Sequence, residues 1–432
     1  LSAQNPWFPS KIALAKAAFI GLVLGVTWGD APSVAAESKN TPIPQQTPVR
    51  DPKFDAFLQD FRAEALKAGI TASLYDQALS GINPIARVQE LNQTQPEFVR
   101  PVWEYLDNAV SARRIADGQA ALAANAALFD QLETRYGVPR TILAAIWGVE
   151  SSYGTQLGSF NIFGALATLA YDGPRQPYGR TQLLAALKLA QDEHIDPSTM
   201  NASWAGGIGH TQFIPTTYLA HAVDGDGDGK RDLWHSPADA LASTASYLSA
   251  SGWKAGEDWG QEVRLPENFA YEDAEIDIEK PIADWVKQGL TDSTGAPLAG
   301  GTQKAALFLP AGAKGPAFLL RGNFFALLKY NTTTSYALAV SLLSDRLQGK
   351  ASIATSWPRE EMPLNSEQRL ALQLALEALG FGTGGVDGVL GKNTRTALRA
   401  YQKARGLSPD GFATVDMLSR VTAEWAKQQG VD

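Results

Sequence analysis

The sequence predicts a mainly α protein with a small mixed or β insertion and a separate three-helix domain at its C-terminal end. Three observations predict this. Apolar residues recur at helical spacing over most of residues 54–250 and again over 335–347. Between them, over 261–330, short apolar runs such as Ala317-Phe318-Leu319-Leu320 are separated by Pro and Gly, the texture of strands and turns. Beyond a break at 350–363 that holds Pro358 and Pro363, residues 364–425 return to short helical stretches joined by glycine turns.

Composition bounds the rest. A chain of 432 residues exceeds what one core usually supports, since single cores rarely grow past ~250–300 residues. The net charge of -8, from 37 basic and 45 acidic residues, lacks the basic excess of a nucleic-acid binder, so no nucleic acid is expected as partner. With no cysteine, disulfides, thiolate metal sites and cysteine nucleophiles are excluded.

Taken in order, residues 1–36 read as a signal peptide. Lys11 and Lys16 precede the apolar stretch Ala17 to Trp28, and small residues follow at 31–36, with a cut expected after Ala36. A periplasmic or exported protein with no stable membrane span after processing is expected, with an uncleaved membrane anchor as the alternative. Residues 37–50, rich in Pro, Gln, Thr and Ser, read as a linker. Phe54, Phe57, Leu58 and Phe61 open a helix, and further helices are expected over 71–80, 97–116, 119–136, 163–171, 181–191 and 237–250. Gly137 lies just outside the helix that ends at Tyr136. Pro139 then marks a helix start, and Ile142, Leu143, Ile146 and Val149 give that helix a buried stripe ending in Glu150.

Glu150 is the candidate for catalysis. A carboxyl at the end of an apolar stripe is costly to ionise if it faces inward, and the negative end of a helix dipole pushes the same way. A neutral carboxyl near pH 7 is the acid that a glycosidic oxygen needs in order to leave. From local sequence alone, a solvated glutamate at a helix end is the plainer alternative. A second carboxylate is usual in glycoside hydrolysis, and no spacing selects one among Asp172, Asp192, Glu193 and Asp196.

Two further segments carry chemistry. In the stretch Ser203 to Pro215, glycines permit close backbone approach, Ser203 and Gln212 offer hydrogen bonds, and Trp204, Phe213 and, just beyond the stretch, Tyr218 offer apolar faces suited to sugar rings; a tight glycine turn packed in the core is the plainer alternative, and core packing is the better reading of Phe213 and Ile214. Within it His210 has no paired histidine at a useful spacing; it is assigned no role as base, and zinc is rejected. Asp224-Gly225-Asp226-Gly227-Asp228-Gly229 matches the start of a calcium loop. Asp224, Asp226 and Asp228 would supply side chains and Lys230 its carbonyl. The twelfth position is His235 where glutamate is usual, and Asp239 stands four residues on to close a longer loop. The ion expected is a structural calcium; the chemistry itself needs no cofactor.

These segments together resemble the MltB-type lytic murein transglycosylases of glycoside hydrolase family 103. The resemblance is carried by Gly148 to Gly154, Ala165 to Ala170, Gly206 to Tyr218, Asp224 to Trp234, Lys329-Tyr330-Asn331 and Tyr336-Ala337. It covers residues 51–347 and implies a lysozyme-like catalytic core. It also implies that Glu150 protonates the MurNAc–GlcNAc β-1,4 bond of peptidoglycan glycan strands, then acts as base toward the muramyl C6 hydroxyl, leaving a 1,6-anhydromuramyl end. Ser203, Gln212, Tyr247, Tyr330 and Asn331 match the family's cleft residues and are expected to orient substrate and support Glu150. Two departures stand out: Pro174-Arg175-Gln176-Pro177 replaces the paired arginines frequent in the family, and the spacing from Trp234 to Asp239 is one residue longer.

After a linker over 348–363, residues 364–425 resemble a three-helix peptidoglycan-binding domain, which implies attachment to the wall beside the cleft. Two other functions fit the sequence less well: a muramidase that uses water, and a noncatalytic wall-binding protein.

Overall fold

A computed structural model describes residues 51–93 and 101–430. The expected signal peptide, the 37–50 linker and the start of the expected 97–116 helix lie outside the described residues. Helix α1 (Pro52–Lys67) begins where expected because the Asp51 carboxylate accepts from the Lys53 and Phe54 amides and Pro52 occupies the first turn. It is followed by α2 (Ala72–Leu79) and α3 (Ala86–Gln93). Next come α4 (Val102–Ala109), α5 (Ala112–Ala124), α6 (Ala126–Tyr136) and α7 (Arg140–Ser151). The sequence reading of two long helices over 97–116 and 119–136 is thereby corrected. Ser111 caps a new helix by accepting from the Arg114 amide, and Asn125 folds its side-chain amide back onto the Ala121 carbonyl.

Strand β1 (Phe160–Asn161) leads into α8 (Ile162–Tyr171) and α9 (Gln176–Asp192), and β2 (Asn201–Ala202) pairs antiparallel with β1. After α10 (Pro215–His221) and α11 (Pro237–Ala250) the chain enters the strand module. Its strands are β3 (Gly260–Arg264), β4 (Glu279–Pro281), β5 (Thr291–Asp292), β6 (Lys304–Phe308) and β7 (Ala317–Leu320), with α12 (Ile282–Lys287) after β4. They form one antiparallel sheet in the order β4-β6-β7-β3-β5. Trp285 fills the space beneath it and donates its indole N–H to the Ala305 carbonyl at 2.9 Å. The module ends earlier than the expected 261–330, because α13 (Gly322–Tyr330) is a helix whose Phe324 and Leu327 join the helical core. Helix α14 (Thr334–Leu347) completes that core.

Two apolar cores lie within the helical body. One joins α1, α2, α8 and α9 around Phe54, Phe61, Phe163 and Leu183; the other joins α6, α7, α11, α13 and α14 around Phe129, Ile146, Leu241 and Leu343. Among the described residues no helix is long and apolar enough to cross a membrane.

The final domain holds the three helices expected: α15 (Ser366–Ala378), α16 (Lys392–Ala404) and α17 (Val415–Gln428), around Leu372, Leu376, Leu398 and Val421. The 348–363 stretch before it is not a free tether. The Ala354 and Thr355 amides donate to the Glu262 carboxylate at 2.6 and 2.8 Å, Trp357 packs on Trp103, and Arg359 makes a bidentate pair with Asp107. Glu275 of the strand module, only 4% exposed, is held by Arg395 and Arg399 of α16, each at 2.6 Å.

Candidate active site

Helix α7 is the backbone of the site. Residues Thr141 to Gly148 are all buried, so the helix passes through the core before surfacing at Val149 and Glu150. It ends in three successive left-handed residues, Ser152 (φ 48°), Tyr153 (φ 58°) and Gly154 (φ 84°). Two of these carry side chains, an arrangement that costs energy and has to be held by its surroundings. Tyr153 is the wedge that holds it. Its ring turns back over α7, and its hydroxyl donates to the Arg114 carbonyl of α5 at 2.8 Å. Glycines make room for the ring: a Cβ at Gly148 would lie 2.5 Å from Tyr153 Cζ, and one at Gly118 would lie 2.3 Å from its hydroxyl.

Glu150 opens onto a cleft of about 650 Å³ lined by Tyr105, Val149, Arg175, Asn331, Tyr336 and residues 332–335. Part of the residue faces the cleft, yet protein packs densely around its carboxyl. That burial pushes the carboxyl from its ordinary 4.5 up to about 7, against a smaller downward pull from the hydrogen bond of Tyr336. Tyr336 Oη donates to Glu150 Oε1 at 2.6 Å. Burial, and then the charge of Glu150, push the Tyr336 hydroxyl well above its ordinary range, so it stays a donor. Among the described residues lining this cleft, Glu150 is the one carboxylate.

Behind Tyr336 stands an aromatic stack. Tyr330 lies parallel to it at 6.2 Å, and Tyr247 meets Tyr330 edge-on at 5.5 Å. Tyr330 donates to the Thr211 carbonyl and Tyr247 to the Lys329 carbonyl, each at 2.6 Å. Of the residues expected to meet substrate, Asn331 lines the cleft itself, with its Oδ1 accepting from the Thr333 amide and hydroxyl. Ser203 and Gln212 belong to the neighbouring glycine loop. Ser203 Oγ accepts from the Gly207 amide, and Gln212, itself left-handed at φ 52°, donates to the Gly209 and Leu157 carbonyls. Both side chains converge on Gly207, where a Cβ would sit 2.6 Å from Gln212 Oε1 and 2.8 Å from Ser203 Oγ. The loop is tied to α7 by Ser151, whose hydroxyl donates to the His210 carbonyl at 2.6 Å.

From sequence, Tyr336 reads both as part of an apolar helical stripe and as part of a motif shared with the family, with no partner assigned to its hydroxyl, while Arg175 reads only as a departure from the family's arginine pair. In the structure Arg175 lies over the Trp204 ring at 5.0 Å.

In the acidic loop, carboxylate oxygens of Asp224, Asp226 and Asp239 come within 4.8 Å of one another, an all-oxygen set that suits a hard cation. Asp239 is 1% exposed, and it braces the loop by accepting from the Gly225, Asp226 and Asp232 amides. Burial raises its carboxyl above the ordinary value, against the downward pull of the amides it accepts from. Asp228 stands outside this group, its Oδ1 accepting from the Lys230 amide at 2.8 Å.

The Transglycosylase SLT domain model matches residues 53–345. The chain belongs to the transglycosylase SLT family. A peptidoglycan binding domain model matches residues 365–420, over the three C-terminal helices. The crystal structure of SltB3 from Pseudomonas aeruginosa in complex with NAG-anhNAM-pentapeptide is 48% identical, covering 86% of this chain and 100% of that one, with a TM-score of 0.83. The Escherichia coli family member Slt35, solved in complex with calcium, is 28% identical over 69% of this chain and 93% of its own, with a TM-score of 0.59. Membrane-bound lytic murein transglycosylase B of Escherichia coli (strain K12) is 36% identical over 211 residues; the match spans 48% of this chain and 56% of that relative.

Proposed function

We propose that this chain is an exported lytic transglycosylase that cleaves the MurNAc–GlcNAc β-1,4 bond of peptidoglycan strands and leaves 1,6-anhydromuramyl ends. One observation carries the reading: a single carboxyl, desolvated to about 7, on a cleft whose described lining holds no second carboxylate. Most hydrolases that activate water use a partner carboxylate across the sugar. A transglycosylase does not, because its nucleophile belongs to the substrate. Glu150 gives its proton to the glycosidic oxygen as the C1–O bond breaks. The resulting carboxylate takes the proton of the muramyl C6 hydroxyl as O6 bonds to C1. Bonds and protons balance, and no water is added.

Tyr336 holds the Glu150 carboxyl through each charge state, and Asn331 and Arg175 face the bound strand. Ser203, Gln212, Tyr247 and Tyr330 support the walls of the groove. Asp224, Asp226 and Asp239, with the Lys230 carbonyl, would hold a structural calcium, which would supply a counter-charge for the loop. The C-terminal helices attach the enzyme to the wall. The likeness to SltB3, bound to an anhydromuramyl peptide, supports the product assignment.

Digestion of purified peptidoglycan by wild type and Glu150→Gln, read by mass spectrometry, tests this. Anhydromuramyl products are expected from wild type alone. Products heavier by one water, or undiminished cleavage by the variant, would overturn it.

A further inference from the structure

Building on Glu150 as the proton donor, we propose that His210 is a positioning residue that holds the Glu150 carboxyl in the cleft by gripping the catalytic helix on both sides of it. Trp147 lies three residues before Glu150 and Ser151 one residue after. Both donate to His210: Trp147 Nε1–H to imidazole Nδ1 at 3.1 Å, and Ser151 Oγ–H to the His210 carbonyl at 2.6 Å. The Ser151 hydroxyl in turn accepts the Gly154 amide at 3.0 Å, drawing the left-handed turn into the same grip. That turn is shaped around the ring, since a Cβ at Gly154 would lie 2.5 Å from both Cε1 and Nδ1 of His210. Trp147 meets both His210 and Tyr153 edge-on, with centroids 5.7 and 5.8 Å away.

His210 itself is anchored from outside α7. Its amide donates to the Leu233 carbonyl at 3.0 Å. The preceding Gly209 lets the loop come this close, because a Cβ there would fall 2.0 Å from the Leu233 oxygen. The last turn of α7 is therefore fastened to a second, independent segment of chain at the two residues that decide where position 150 points.

The geometry also fixes what His210 does not do. Nδ1 accepts a hydrogen bond, so the imidazole is the neutral form with its proton on Nε2. The residue is 8% exposed, is not among the residues that line the cleft beside Glu150, and has its Nδ1 occupied by Trp147, so it is placed to position Glu150 and not to act as a general base. Its effect on the reaction runs through Glu150, where a displacement of about 1 Å costs on the order of 100-fold in rate.

Two variants and one spectroscopic signal test this. His210→Phe keeps a ring and removes the acceptor, whereas His210→Asn keeps an acceptor near the place of Nδ1. Steady-state kcat and KM for anhydromuramyl release are measured alongside ¹H–¹⁵N spectra of indole-labelled protein, with Trp147 assigned by Trp147→Phe. His210→Phe is expected to lower kcat by about 10- to 100-fold with KM within about twofold, and to move the Trp147 indole proton upfield. His210→Asn is expected to recover much of both. Ser151→Ala, which loosens the second grip and leaves the ring alone, is expected to lower kcat in the same way and guards against a phenylalanine variant that fails to fold. Wild-type kcat in His210→Phe or in Ser151→Ala overturns the inference, as does a loss confined to KM or equal loss in the Phe and Asn variants. A wild type that releases no anhydro product would instead sink the reading of Glu150, while the indole signal would still report the grip.

Discussion

The hydroxyl of Tyr336 donates a 2.6 Å hydrogen bond to Oε1 of Glu150, joining the first turn of α14 to the last turn of α7. The bond favours the carboxylate, while burial disfavours it more strongly, and the balance leaves the group near 7.

On the proposed reading the reaction begins with a protonated Glu150, so turnover should fall as pH rises through about 7. In Tyr336→Phe the pull toward the carboxylate is gone, so the descending limb should move to higher pH, with kcat reduced by roughly tenfold through lost orientation. A pH–rate profile of the two proteins checks this; a limb that stays put or moves down contradicts it.

The same carboxyl gives stability a pH dependence of definite sign. Its folded value is raised above the ordinary 4.5, so its contribution is fully present below about 4.5 and is lost as pH rises through about 7. Glu150→Gln should therefore melt like wild type near pH 4 and be more stable at pH 8, by about 1–3 kcal/mol for a partly exposed group. Thermal melts at the two pH values provide the check, and equal shifts at both would refute it.

Gly148 leaves room for the Tyr153 wedge. Gly148→Ala places a carbon 2.5 Å from the ring and should cost about 1–3 kcal/mol in stability, with a larger proportional loss of kcat than of KM. Denaturant unfolding paired with kinetics measures both.

Removing Glu275 strands two arginines, one of them buried. Glu275→Ala should weaken the seating of the C-terminal domain on the strand module by about 3–5 kcal/mol and open residues 348–363 to protease. Limited proteolysis and small-angle scattering report the change, with the Glu150 reaction on small glycans retained.

Calcium should raise the melting temperature of wild type, by the equivalent of about 2.7 kcal/mol at a hundredfold excess over its dissociation constant. Asp239→Asn should abolish the rise. Titration of calcium into the chelator-treated protein, followed by thermal melts, separates the two.

Much of this architecture was legible because apolar periodicity is a local signal. The stripe of Ile142, Leu143 and Ile146 announced α7, and Gly137 announced the turn before it. What escaped the sequence depended on contacts distant in the chain. Helix α13 was hidden because Phe324 and Leu327 follow directly on a strand-like run. The bond of Tyr336 to Glu150 escaped because its partner lies 186 residues earlier. His210 drew no role for the same reason, its ring partner Trp147 being 63 residues away.

The seating of residues 354–359 against Glu262, Trp103 and Asp107 has a consequence for work on a polymer. A clamp on a slack leash would let the blade roam over every bond within its radius. If the C-terminal helices grip the wall as proposed, the clamp is bolted to the frame, so the offset between where the wall is gripped and where it is cut is a dimension of the fold, and the enzyme carries its own gauge.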